Sequence, residues 1–167
     1  FQGCTSLTTA PALPATNLAN YCYYGMFLGC TNLITAPAQL PATTLTESCY
    51  QDMFTGCSDL TEAPALPATT LAPNCYRLMF QGCTSLTKAP ALPATTLALN
   101  CYFHMFANTG LTTAPELPAT NLADSCYRAM FIDCTNLTTA PELPATTLAT
   151  ACYFGMFRDR KSTRLNS

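Results

Sequence analysis

The sequence predicts an α/β repeat solenoid in which each unit of about 26 residues contributes one short strand and one short helix. Three observations carry this prediction. The dipeptide Met-Phe recurs at a nearly constant interval, at Met26, Met53, Met79, Met105, Met130 and Met156. Each of the first five copies is followed by the same series of leucine, threonine and proline positions. The composition is 49% hydrophobic but only 10% charged, so a single unit cannot bury its apolar side chains and must stack on its neighbours.

The segment Cys-Tyr-x-x-Met-Phe predicts the helix. In the first copy it places Cys22, Met26 and Phe27 at positions i, i+4 and i+5, which share one face of a helix. Helix-capping residue types stand just before the cysteine in later copies, at Ser48, Asn74, Asn100 and Ser125. Residue types that tolerate a left-handed backbone follow the phenylalanine, at Gly29, Gly56, Gly82, Asn108 and Asp133. We therefore expect a helix of about two turns that is closed at both ends.

The segment Leu-Thr-x-Ala-Pro predicts a short strand that ends at its proline. Proline lacks the backbone N–H that a strand ladder requires. Because side chains alternate along a strand, the position two residues before this proline should face solvent, and the position before that should point partly inward. The solvent-facing position holds Thr9, Thr35, Glu62, Lys88, Thr113 and Thr139.

The chain divides into two parts. Residues 1–158 form one solenoid of about six repeats, which we expect to be truncated at both ends because it begins and ends inside a repeat. Residues 159–167 share nothing with the repeats and resemble the translation of a sequencing adapter, which indicates a non-native or disordered tail. One unit carries an extra residue at Gln39 and another lacks one between Phe106 and Leu111, and we expect both changes in loops that bulge from the stack.

Charge and hydropathy exclude two classes of partner. The net charge of −2 gives no basic surface for a phosphate backbone, so we expect no nucleic acid partner. No apolar stretch reaches the roughly 18 residues of a membrane span.

The repeat resembles a known family. Met-Phe-x-Gly-Cys-Thr-x-Leu-Thr is similar to the signature of BspA-type bacterial leucine-rich repeats, and the resemblance covers residues 1–158. It implies a right-handed, parallel-stranded, leucine-rich-repeat-like coil with a short helix on one flank. It also implies an extracellular or bacterial cell-surface location and adhesion to host proteins.

The residues that could carry chemistry predict no catalytic, cofactor or metal site, and hence no enzyme. The 11 cysteines recur once per repeat in two series, and we expect buried free thiols, with disulfides between neighbouring repeats and metal binding as alternatives. His104 is the only histidine, and its position holds unrelated residues in other repeats, which favours a solvated side chain over a catalytic base. Glu116 and Glu142 recur in neighbouring repeats, which favours surface charge over acid–base chemistry.

These observations predict a cell-surface or secreted interaction module that binds a protein or a glycan. The residues expected to contact the ligand are Thr9, Thr35, Glu62, Lys88, Thr113, Thr139, Glu116 and Glu142. One alternative is a spacer or stalk that projects another domain. A second is an ice-binding solenoid, because threonines are regularly spaced along the chain.

Overall fold

The computed structural model describes residues 1–158, a stack of coils in which each repeat forms one coil. Equivalent residues of successive repeats lie above one another and are joined by backbone hydrogen bonds. The N–H groups of Tyr23 and Tyr50 donate to the carbonyl oxygens of Cys49 and Cys75 in the next coil, over 3.0 and 3.1 Å. The expected adapter-like tail, residues 159–167, lies outside the described residues.

The predicted α/β architecture is wrong in its secondary structure. Residues 1–158 contain no helix and no extended strand. The segment from Cys22 to Phe27, predicted to be helical, is a run of hydrogen-bonded turns. In place of strands there are isolated parallel bridges, which pair Thr9 with Thr35, Thr35 with Glu62, Gln39 with Ala65, Thr44 with Thr70, Lys88 with Thr113, and Thr96 with Asn121. The repeat therefore has neither the helix nor the strand of a leucine-rich-repeat-like coil.

The backbone hydrogen bonds explain why no helix forms. Tyr23 N–H donates to the next coil, whereas the next residue, Tyr24, donates to the carbonyl of Tyr21 three residues back. Gly25 again donates to the next coil, and Met26 donates to the carbonyl of Tyr23. An α-helix would direct all of these N–H groups to carbonyls four residues back within the segment. Here every second N–H bonds to the next coil, and the others close turns within the segment. We call the surface formed by residues 22–27 and the equivalent segments of the other coils the turn wall.

Burial along the turn wall repeats every four residues, which is close to the period of an α-helix. In one coil Cys75 and Tyr76 are buried, the next two residues are partly exposed, and Met79 and Phe80 are buried again. Positions i, i+4 and i+5 thus share an interior face without a helix. The residues predicted as N-caps, Ser48, Asn74, Asn100 and Ser125, have φ between 51° and 57° and lie within turns. The left-handed conformation expected at Gly29, Gly56, Gly82, Asn108 and Asp133 is confirmed, but it follows turns rather than a helix.

The predicted strand is reduced to at most one bridging residue per coil. Thr35 bridges both Thr9 and Glu62, and Pro37 stands two residues later. Because proline has no N–H, it prevents the ladder from extending. Ile34 is 47% exposed, so the position expected to point partly inward faces solvent.

Two columns of stacked aromatic rings fill the core along the stack. Here a column means the equivalent residues of successive coils. The tyrosine column has ring centroids 5.6 to 5.9 Å apart and comprises Tyr23, Tyr50, Tyr76, Tyr102, Tyr127 and Tyr153. The phenylalanine column has centroids 5.4 to 5.8 Å apart and comprises Phe1, Phe27, Phe54, Phe80, Phe106, Phe131 and Phe157. Neighbouring rings are parallel to within 11°, so each coil is held in register with the next.

The two length changes fall in different environments. Gln39 is exposed and bridges Ala65 of the next coil. The shortened unit, in contrast, is buried at Thr109 and Gly110, so the expectation of an outer loop there is wrong. A Cβ atom on Gly110 would overlap the carbonyl oxygen of Thr84 in the preceding coil. The shorter coil therefore requires glycine at this position.

Candidate functional site

The eight residues predicted to contact a ligand are all exposed. Thr9, Thr35 and Glu62 form one bridged series, and Lys88 bridges Thr113 further along the same column. Thr139 continues this column. Glu116 and Glu142 directly follow Pro115 and Pro141, three residues beyond Thr113 and Thr139, and they line a groove beside this column.

This groove runs between two columns of prolines, and we call it the proline groove. It is defined by Pro64, Pro90, Pro115 and Pro141 on one side and by Pro67, Pro93, Pro118 and Pro144 on the other. Its largest part has a volume of about 610 Å³ and includes Glu62 and Lys88. An adjoining part of about 440 Å³ contains Lys88 and Glu116, and a further part of about 390 Å³ contains Glu116 and Glu142. The structure thus places four of the predicted contact residues along one groove.

The segment Pro-x-Leu-Pro builds the proline groove. Its leucine is buried, as at Leu66 and Leu92, which are 3% and 4% exposed. The residue before the leucine is exposed and lies between the two prolines, as at Ala65 and Ala91. The leucine therefore anchors the segment to the core while the two prolines stand on either side of a shallow floor.

The charge of the proline groove changes along the stack. Lys88 lies between Glu62 of the preceding coil and Glu116 of the following coil. The floor position is alanine in the central coils and glutamate at Glu116 and Glu142. The groove therefore offers an apolar floor with mixed charge at its centre and an acidic part toward the C-terminal coils.

Most of the cysteines are buried in the core. All 11 are free thiols, and eight of them are buried. Burial raises the pKa of Cys49 from 9.0 to about 11, and it raises the pKa of Cys57 and Cys75 to about 12. Because the thiolate is the reactive form, these side chains stay protonated and unreactive at neutral pH. The expected burial is confirmed for eight of the cysteines, whereas Cys4 and Cys22 are exposed and Cys134 is half-buried.

The other candidates for chemistry are the single histidine and the metal-binding residue types. His104 is partly exposed, and its ring stacks on Phe103 with centroids 4.3 Å apart. Within residues 1–158, no three histidine, cysteine or acidic side chains are grouped so that they could hold a metal ion. No helix of the described part of the chain is long and apolar enough to cross a membrane.

The sequence analysis missed a second surface, on the outer side of the turn wall. The residue after each core tyrosine forms an exposed or partly exposed column in the later coils, in which arginine and phenylalanine alternate. We call Arg77, Phe103, Arg128 and Phe154 the arginine–aromatic column. Comparing the residue after each tyrosine from repeat to repeat would have revealed the alternation, because the core tyrosines recur at the repeat interval.

Comparison with protein-family models, curated proteins and solved structures gave no match. The resemblance to BspA-type repeats therefore stays a prediction, and the functional argument depends on the geometry of the two surfaces.

Proposed function

We propose that this chain is a cell-surface or secreted interaction module and that the proline groove binds a protein ligand. The observation that carries the proposal is the continuous groove that contains Glu62, Lys88, Glu116 and Glu142 on a stack of rigidly registered coils. The same residues were predicted as contacts because they vary among repeats whose core positions do not.

The lining of the groove favours binding by keeping its entropic cost low. Proline and alanine side chains lose almost no rotamer freedom when a ligand covers them. The backbone beneath is fixed by the buried leucines, so the surface is preorganised. The charged residues then provide specificity, because Lys88 attracts an acidic group and the flanking glutamates attract basic groups.

The proposed location comes from the resemblance to BspA-type repeats. Those proteins are found at bacterial surfaces, and several act as adhesins, so we propose adhesion to a host protein as the role of the groove. A glycan is the alternative ligand for the same groove.

Groove occupancy can be tested by blocking the floor. Ala91 is exposed and lines two parts of the proline groove, so Ala91→Trp would fill it. Ala19 is exposed outside the groove, and Ala19→Trp is the matched control. We expect the chain to be retained on at least one of immobilised fibronectin, fibrinogen and collagen, and Ala91→Trp to lose retention while Ala19→Trp keeps it. Retention of none, or equal retention of both variants, would contradict the proposal.

A spacer is the second candidate, and the aromatic columns favour it. Uninterrupted stacking of near-parallel rings from Tyr23 to Tyr153 stiffens the molecule along its axis. A chain that only projects another domain would need this stiffness and no ligand. Failure of retention on every protein and glycan tested, together with a rod-like scattering profile in solution, would favour the spacer.

The ice-binding alternative has one observation in its favour. Both outward residues of each Ala-Thr-Thr or Ala-Thr-Asn segment are exposed, so two parallel columns of hydroxyl and amide side chains face solvent. They are Thr16, Thr43, Thr69, Thr95, Thr120 and Thr146, and beside them Asn17, Thr44, Thr70, Thr96, Asn121 and Thr147. A measurement of thermal hysteresis decides this alternative, since an ice-binding protein lowers the freezing point below the melting point.

A further inference from the structure

The backbone hydrogen bonds between coils are interrupted beneath the proline groove. On the N-terminal side of Ala65 the groove floor is closed, because Ala65 N–H donates to the carbonyl of Ala38 and Leu40 N–H donates to that of Ala65, both over 3.0 Å. At the next junction, within the described part of the chain, no backbone hydrogen bond or bridge joins residues 61–71 to residues 87–97. We call this opening the central cleft.

A second opening lies two coils further along the stack. The two coils that follow the central cleft are joined again by parallel bridges. At the junction after them, among residues 1–158, no backbone hydrogen bond joins residues 113–123 to residues 139–149. We call this opening the acidic cleft, because Glu116 and Glu142 line it.

Both clefts open only on the side of the proline groove. At the central cleft the N–H of Tyr76 donates to the carbonyl of Cys101 over 3.1 Å, and at the acidic cleft the N–H of Tyr127 donates to the carbonyl of Cys152 over 3.0 Å. The turn wall therefore keeps the coils in register, while the opposite side leaves backbone groups available to a ligand.

Ala91 shows what the central cleft offers to a ligand. It is exposed and lines the largest part of the groove. Within residues 1–158, neither its N–H nor its carbonyl has a backbone partner, whereas both groups of the equivalent Ala65 are bonded to the preceding coil. A ligand main chain on the groove floor can therefore bond to Ala91, which a fully bonded floor would not allow.

The distance between the two clefts selects the conformation of the ligand. Hydrogen-bonded neighbours in a sheet are about 4.8 Å apart, so clefts separated by two coils are about 9.6 Å apart along the stack. A polyproline II helix has three residues per turn and rises about 3.1 Å per residue, so it presents the same face about every 9.3 Å. An extended strand presents the same face about every 6.7 Å, and its side chains fall out of step with the clefts.

The two clefts differ in charge, and this difference selects the side chains of the ligand. The floor of the central cleft is alanine, and Glu62 and Lys88 at its edge carry opposite charges, so an uncharged apolar side chain fits there. The acidic cleft is lined by Glu116 and Glu142, and none of its described lining residues is a cation. It therefore fits a basic side chain.

We propose that the proline groove binds a polyproline II segment in which a proline and a basic residue are three positions apart. The proline packs in the central cleft, and the basic side chain pairs with Glu116 and Glu142 in the acidic cleft. A polyproline II helix has no internal hydrogen bonds, so its carbonyls are free to accept from the N–H of Ala91. Its conformation is set before binding, which keeps the entropic cost low. This inference rests on the proposed function, since it names the ligand class of the same groove.

The test uses the full chain and a fluorescent nonapeptide in which one arginine stands between two runs of four prolines. A proline lies three positions from the arginine on either side, so the peptide fits the clefts in both chain directions. Fluorescence anisotropy at low salt measures binding. We expect Glu116→Gln combined with Glu142→Gln to weaken binding about tenfold or more, because it removes both carboxylate partners of the arginine. Asp59→Asn is the matched control, since it removes an exposed carboxylate outside the groove and should leave binding unchanged.

Two further peptides test the charge and the conformation of the ligand. A glutamate in place of the arginine should weaken binding at least about tenfold. A peptide that surrounds the same arginine with alternating valine and threonine keeps the charge but favours a strand, and it should also bind at least about tenfold more weakly. The proposal is overturned if the proline–arginine peptide does not bind, if the strand-forming peptide binds as tightly, or if the double glutamine variant and Asp59→Asn bind it equally.

Ala91→Trp separates a failure of this inference from a failure of the proposed function. Loss of both peptide binding and retention on the host protein in this variant supports both. If the variant loses retention on the host protein but the peptide does not bind the unmodified chain, only the inference fails. If the variant keeps retention on the host protein, the proposed function fails. Sedimentation of the free chain detects a second copy in the groove, and self-association that Ala91→Trp abolishes would also overturn the inference.

Discussion

The thiol of Cys83 donates a hydrogen bond of 3.1 Å to the carbonyl oxygen of Phe54 in the preceding coil. Cys57 makes the same contact with Phe27, also at 3.1 Å. The cysteines of this column thus join neighbouring coils from inside the core, as buried hydrogen-bond donors and not as disulfides. Repetition of one such contact along the stack explains why cysteine recurs at this position of the repeat.

The shortened coil offers a test of this contact. The carbonyl of Phe106 accepts hydrogen bonds from the hydroxyl of Thr109 at 2.8 Å and from the thiol of Cys134 at 2.9 Å. We expect Thr109→Val and Cys134→Ala each to lower the free energy of unfolding by about 1 kcal/mol. The double variant removes both donors from a buried carbonyl and should cost at least about 1 kcal/mol more than the sum.

Urea denaturation of the four proteins measures this coupling. Thr112→Val is the control, because the hydroxyl of Thr112 is exposed and its loss should change stability by less than about 0.5 kcal/mol. Strict additivity of the two buried substitutions would mean that the carbonyl finds another donor.

Gly110 is predicted to be irreplaceable by alanine. The new Cβ would overlap the carbonyl oxygen of Thr84, which is backbone and cannot rotate away. We expect Gly110→Ala to destabilise the chain by about 2–3 kcal/mol through forced backbone shifts. Gly155→Ala is the comparison, since a Cβ there meets no atom and only the left-handed φ of 64° opposes it, at a cost of about 1 kcal/mol. Equal melting temperatures for the two variants would rule out the steric explanation.

The sequence allowed the repeat, its length and most of its core to be predicted, but not its backbone. The cysteine, methionine and phenylalanine of the Cys-Tyr-x-x-Met-Phe segment were assigned to an interior face, and Cys75, Met79 and Phe80 lie there. The first copy departs from this, since Cys22 is exposed, and the buried tyrosine column was not predicted. The helix was wrong because a wall of turns with a four-residue period buries the same positions as a helix. The two structures differ in the partners of alternate backbone N–H groups, which bond within the segment in a helix and to the next coil in the turn wall. A bond to the next coil depends on how two repeats stack, so the pattern within one repeat does not predict it.

The candidate site was predictable in part for a related reason. The groove itself was not predicted, but four of its charged residues were singled out because two positions of the repeat vary, one at Glu62 and Lys88 and the other at Glu116 and Glu142. The arginine–aromatic column was missed because each of its residues is unremarkable within its own repeat. The column is recognised only from contacts between coils, such as those of Arg128 with Phe103 and Phe154.

The turn wall predicts a contrast between two buried alanines. Ala129 and Ala107 are 5% and 2% exposed and belong to the same small cluster. Ala129 has a φ of 51°, a conformation that glycine adopts without the steric cost that alanine bears, whereas the backbone at Ala107 lies outside this region. We expect Ala129→Gly to be less destabilising than Ala107→Gly by about 1–2 kcal/mol. Chemical denaturation gives this difference directly, and equal losses would argue against a left-handed turn at Ala129.

The buried thiols predict that the chain loses stability in alkali. Burial raises the pKa of Cys49 to about 11 and that of Cys75 to about 12, from an ordinary value of 9.0. Above pH 9 the unfolded chain releases these protons while the folded chain retains them. The stabilisation is therefore complete below pH 9 and is lost as the pH rises from 9 toward 11 or 12.

Urea denaturation at several pH values between 7 and 11 measures this loss. The free energy of unfolding should be nearly constant up to about pH 8 and should then fall, by up to about 1.4 kcal/mol per pH unit for each buried thiol that ionises only on unfolding. Cys75→Ala is the matched variant, because it removes one such thiol and should make the alkaline slope shallower by about one proton, although it also lowers stability at neutral pH by opening a small cavity. A slope that Cys75→Ala leaves unchanged would mean that this thiol ionises equally in the folded chain, which would contradict its burial between stacked coils.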